Sequence, residues 1–184
     1  IILCSSLGEW VGEFNFISLS NAIALGAGVA FAEELIFRSW LWGEANIIFG
    51  SRYGLFIQAA IFSLAHLSFH LDVMEFISLF VGLFLLGLIL AIRRVLDKGS
   101  LFGSIGLHGG LIGVWFLVDS GLINILDNKY SWLIVSGNTA RNPIGGLIAI
   151  FTLLIIIFYH RTAFAIALDP LNGACNASSN GATP

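Results

Sequence analysis

Charge is what this 184-residue chain has least of: Asp, Glu, Lys and Arg make up 10% of it, against 58% hydrophobic residues. A soluble domain carries about 25% charged residues. With a mean hydropathy of +0.95, the chain is not built for water. Basic residues are scarcer still, 8 Lys and Arg against 11 Asp and Glu for a net charge of −3. That balance excludes a phosphate-neutralising surface, and no nucleic acid is expected as a partner. Cysteine is limited to Cys4 and Cys175, at opposite ends and without ligand spacing, so neither is assigned a role. The opening residues lack a basic stretch and a cleavage site, so no signal peptide is read there. There is also no internal repeat.

What is present is a series of uncharged runs: 14–32, 53–71, 76–92, 99–118 and 142–160, of 19, 19, 17, 20 and 19 residues. A bilayer core of roughly 30 Å needs about 20 apolar residues in helix. Runs without two-residue alternation argue for helices rather than a barrel. The expectation is an all-α, polytopic transmembrane helix bundle with about five spans, one domain over residues 1–171 and a disordered polar tail at 172–184. The first helix is predicted from near Asn15, past Arg38, to Phe49, with Gly50 and Ser51 at its end. The second should end near Leu71, the third at Arg93 and Arg94, and the fourth near Val118 after passing His108. A polar loop at 119–141 follows, and Pro143 opens a last span closing at His160–Arg161. Five spans place Arg52, Arg93, Arg94, Lys98 and Arg161 on one side and Lys129 and Arg141 on the other. The positive-inside rule then puts the C-terminus in the cytoplasm of an integral membrane protein.

Against that background the stretch FAEELIFRSWLWG, residues 31–43, sets Glu33, Glu34 and Arg38 inside the first helix. Each charge in a membrane helix costs roughly 2.5–3.5 kcal/mol on insertion scales, so such residues mark function or a paired structural site. Glu34 and Arg38 are four apart with the acid first, the better orientation for a helical pair. Glu33 lies about 100° around the helix and needs a partner from another helix. His66, in FSLAH (62–66), and His108, in SIGLHGG (104–110), offer one. Counting about 1.5 Å per residue from the helix ends makes Glu33 and His66 level but leaves His108 shallower. His70 and His160 read as interfacial, the tryptophans as belt or packing residues, and Gly82, Gly87, Gly109–Gly110 and Gly145–Gly146 as points of close helix approach. Ser104, one turn before His108, is the weak hint of a serine dyad.

Glu33, Glu34 and Arg38 in E-E-x-x-x-R, Phe62 and His66 in F-x-x-x-H, and His108 on a later helix resemble the CPBP (CAAX-processing and bacteriocin-processing, ABI) intramembrane proteases, over about residues 20–118. The resemblance implies an α-helical intramembrane endopeptidase acting on a membrane-associated peptide or protein among membrane lipid. Glu33 and His66 would activate water, His108 would help to stabilise the oxyanion, and Glu34 and Arg38 would support them. The family usually places Asn or Asp four residues after the last His, where this chain has Ile112. The family was long described as zinc-dependent, and Glu33, His66 and His108 are ligand types that suit zinc. HLSFH (66–70) is not a zincin motif, because Leu67 stands where the Glu belongs. Two rivals remain: a catalytically inactive member acting as a membrane interaction or immunity-type protein, and ion transport through Glu33 and His66.

Overall fold

The computed structural model describes residues 8–12, 15–68, 70–126, 130–136 and 141–169; Cys4, Cys175 and the tail 172–184 lie outside them. The chain forms α1 (Phe16–Glu33), a π-helical segment (Glu34–Leu41), α2 (Trp42–Ala65), α3 (Val73–Leu96), α4 (Phe102–Leu117), α5 (Leu147–Tyr159) and α6 (Arg161–Leu168). A second π-helical segment, Val118–Leu122, extends α4. The architecture is the all-α bundle expected.

Phe16–Ala65, Val73–Leu96 and Phe102–Leu122 are long and apolar enough to cross a bilayer, and α5 with α6 makes a fourth such segment if that pair, bent by 77°, counts as one. Phe16–Ala65 is too long for one crossing: 50 residues would reach about 75 Å. Gly50 divides it, with φ 80° and ψ 160°, a region open essentially only to glycine. The arms on either side of Gly50 bring the apolar helical segments to five.

Local signals explain the ends. Asn15 caps α1, its Oδ1 accepting from the Ser18 amide at 2.8 Å. The 97–100 turn closes α3 through left-handed Lys98 and Gly99, at φ 54° and 93°. Three expectations need correction. The second helix ends at Ala65 rather than Leu71, and His66 forms its C-cap, so His70 is not on a continuing helical turn. Pro143 opens a 3₁₀ turn, Pro143–Gly145, with α5 starting only at Leu147; Arg161 begins α6 instead of closing a span. The 119–141 loop holds β2 (Ile123–Ile125), paired antiparallel with β1 (Gly8–Trp10) in the register Gly8↔Ile125 and Trp10↔Ile123. Three-residue strands are too short for alternation to register in the sequence.

Lipid tails are as apolar as leucine, so helices associate through close packing and interhelical hydrogen bonds. Both are present. A Cβ on Gly26 of α1 would strike the Gly109 carbonyl of α4, and Gly87 of α3 sits against Ala59 of α2. Gln58 Nε2 donates to the Gly87 carbonyl at 3.3 Å and Ser63 Oγ to the Phe80 carbonyl at 2.8 Å. Around these contacts Phe62, Leu83, Leu86 and Leu90 form the buried centre of the bundle.

Candidate active site

Glu34 and Arg38 are both fully buried, and among the described residues no other Asp, Glu, Lys or Arg is buried. Arg38 Nη1 lies 3.1 Å from Glu34 Oε1, the pairing expected from their spacing. The guanidinium also lies 4.0 Å from the centre of the Phe62 ring, whose π-face further offsets its desolvation. The helix carrying them is π-helical, which the sequence does not signal. Widening the turn leaves backbone carbonyls off the regular ladder, and Arg94 from α3 donates its Nη1 to the Arg38 carbonyl.

His108 of α4 meets this pair. Its Nδ1 donates to Glu34 Oε1 at 2.9 Å, and its Nε2 lies 3.7 Å from Glu33 Oε2. The depth count that left His108 too shallow is therefore wrong. It took helix ends as a common plane, whereas the Gly26–Gly109 contact sets the relative level of α1 and α4. In an antiparallel pair, side chains that lean towards their own N-termini can also converge.

His66 completes the set. Its Nδ1 donates to the Phe62 carbonyl at 2.7 Å, and its Nε2 stands 3.3 and 3.2 Å from the two oxygens of Glu33. Each histidine thus has Nδ1 committed as a donor, and both Nε2 atoms face one carboxylate. A neutral imidazole would present a lone pair to that carboxylate. The contacts are favourable only with a proton on an Nε2 or on Glu33.

The site opens into a cavity of about 410 Å³. Glu33, Phe62, His66 and His108 line it together with Ile112, Trp115, Asp119 and Asn142. Glu33 is 21% and His66 30% exposed, against 5% for His108, so the Glu33–His66 pair is the more accessible end of the cluster. All five residues singled out in the sequence come together here. Three things were missed: the Glu34–His108 bond, the π-helical turn, and the approach of Asp119, from the segment read as a polar loop, and of Asn142, at the start of the last uncharged run. Ser104 is buried, with its Oγ donating to the Leu101 carbonyl at 2.9 Å, and forms no dyad. His70 is exposed, and its backbone amide donates to Ser68 Oγ.

Among the described residues, no three His, Cys, Asp or Glu side chains converge on a point that would hold a metal ion. Glu33, His66 and His108 engage one another instead.

Residues 15–113, just over half the chain, match the family model of the Rce1-like type II CAAX prenyl endopeptidases. The chain belongs to that family. The matched stretch includes every residue of the Glu33–Glu34–Arg38–His66–His108 cluster and agrees with the resemblance read from the motifs. No curated protein and no solved structure matches the chain.

Proposed function

We propose that this family member is an intramembrane endopeptidase that hydrolyses a peptide bond of a membrane-associated peptide or protein with water activated at Glu33 and His66. The observation that carries the reading is the placement of Glu33. It lies between two imidazoles whose Nδ1 atoms are held elsewhere, in the wall of a cavity inside an apolar bundle.

In this scheme Glu33, supported by His66, takes a proton from water as the oxygen attacks the scissile carbonyl carbon. The carbonyl oxygen becomes an oxyanion, and His108 donates to it through Nε2–H. Glu34 keeps His108 in that orientation through Nδ1. Collapse of the tetrahedral intermediate breaks the C–N bond, and the proton held at Glu33 passes to the leaving amine. Water and a peptide become a carboxylate and an amine, with no oxidant or other co-reactant.

The test is cleavage of a peptide library by purified protein in proteoliposomes, with Glu33→Gln as the comparison and a chelator arm to address metal. Cleavage by wild type that survives chelation and is lost in Glu33→Gln supports the scheme. Equal cleavage by wild type and Glu33→Gln would remove it. A second reading, a non-catalytic member acting as a membrane partner, draws on Ile112, which puts an alkyl group in the cavity where the family usually has an amide or acid. Absence of any cleavage by a well-folded wild-type protein favours it.

A further inference from the structure

The cavity wall opposite the helices holds a polar group that neither the motifs nor the family match includes. We infer that Asn142 is a hydrogen-bond donor to the oxygen that gains charge during hydrolysis; the inference rests on the proposed peptidase reading.

Asn142 lies at a depth where loops are unusual. A Cβ on Gly82 would strike the carbonyl of Ile144, and Gly82 is nine residues into α3, about 14 Å along it. Irregular backbone at membrane depth is tolerated only where it is buried in protein or lines a water-filled cavity. Both conditions hold here: Ile144 packs on the buried core, and Asn142 lines the cavity shared by Glu33 and His66.

The amide is also fixed in direction. Its Oδ1 accepts from the Ile144 amide at 3.0 Å, which determines which end of the side chain carries the NH₂. The backbone of Asn142 exchanges two hydrogen bonds with Ser136, at 2.9 and 3.0 Å. Among the described residues, the Nδ2 group has no protein partner. The anchored oxygen and free NH₂ form a preorganised donor, the kind of group that strengthens when charge develops in a site of low dielectric. The other polar side chains in the cavity wall are Glu33, His66, His108, Asp119 and the indole of Trp115; among them Asn142 is the one amide.

The test separates donation from structure. Asn142→Asp keeps an oxygen to accept from the Ile144 amide but has no NH₂ to donate. Asn142→Ser also retains a capping oxygen, without charge and with a shorter reach. Both should fold with melting temperatures near wild type. Both should lower kcat by about 10²-fold with KM little changed, and the double variant Asn142→Asp/Ile112→Asn should regain part of the loss through an amide on the facing helix. Wild-type kcat in both single variants, with Glu33→Gln inactive, would overturn the Asn142 role and leave the peptidase reading intact. Unchanged cleavage in Glu33→Gln would remove the peptidase reading instead. A fall in melting temperature that tracks the fall in kcat across the variants would assign Asn142 to the loop structure alone.

Discussion

Glu34 Oε1 accepts from His108 Nδ1 at 2.9 Å and forms an ion pair with Arg38 Nη1 at 3.1 Å, whereas Glu33 faces the Nε2 atoms of both histidines and the cavity. The two neighbouring acids should therefore fail differently. Glu34→Gln leaves a buried guanidinium without its counter-charge, a loss on the order of 3 kcal/mol, and frees His108 to turn. A thermal melt should show a clear drop, accompanied by reduced cleavage. Glu33→Gln alters only the partly exposed contacts to His66 and His108 and leaves the buried Glu34–Arg38 pair intact; it should melt close to wild type and cleave nothing. A larger loss of stability in Glu33→Gln than in Glu34→Gln would reverse these roles. The residues themselves were legible because charge is so rare here: in an apolar chain three charges in one helix stand out, and so do two histidines within uncharged runs. Their spacing correctly paired Glu34 with Arg38. What spacing could not supply was the π-helical turn, since eight residues of unremarkable composition carry no mark of a wider helix, nor the depth of His108.

At the scale of elements, the site exists because α1 and α4 touch backbone to backbone. A Cβ on Gly109 would sit 2.7 Å from the Gly26 carbonyl oxygen, whereas a Cβ on Gly110 meets nothing within 4 Å. Gly109→Ala must push the helices apart, which costs about 1–3 kcal/mol and draws His108 away from Glu33 and Glu34. Melting temperature and cleavage should fall together. Gly110→Ala, one residue along, should leave both unchanged or raise stability slightly, because alanine is the better helix former. Equal behaviour of the two variants would show that the glycine contact does not set the site. The sequence marked this glycine pair as a place of close approach but not which member makes it. Neighbours differ by about 100° of helix phase, and only the packed neighbour helix fixes the phase. The same limit hid the end of α2, because an uncharged run to Leu71 does not reveal that the helix itself stops at Ala65.

For the whole molecule, the last apolar segment differs from the uniform apolar helix read from the uncharged run 142–160. α5 has 13 residues, about 20 Å, too short for a bilayer core of roughly 30 Å. Its start is already deep, because the preceding Pro143–Gly145 turn packs against Gly82. If α5 and α6 count as one crossing, its outer part is the irregular chain of Asn142, Pro143 and Ile144 lining the cavity, while α5 completes the inner part. α6 then turns by 77° and packs with Trp42, Leu55 and Ala91 near the α3 end that carries Arg93 and Arg94. Arg141 belongs to the other end, where its Nη1 donates to the Ile125 carbonyl beside the β1–β2 ribbon at 2.8 Å. An α5 that crosses leaves Arg52, Arg93, Arg94, Lys98 and Arg161 together, and the positive-inside rule predicts a cytoplasmic location for that end. A reporter fused after Pro184 should accordingly read cytoplasmic, and one inserted between Leu126 and Tyr130 should read the opposite side. Matching signals from both positions would mean that α5 turns back, and with it the orientation of the cavity would have to be redrawn.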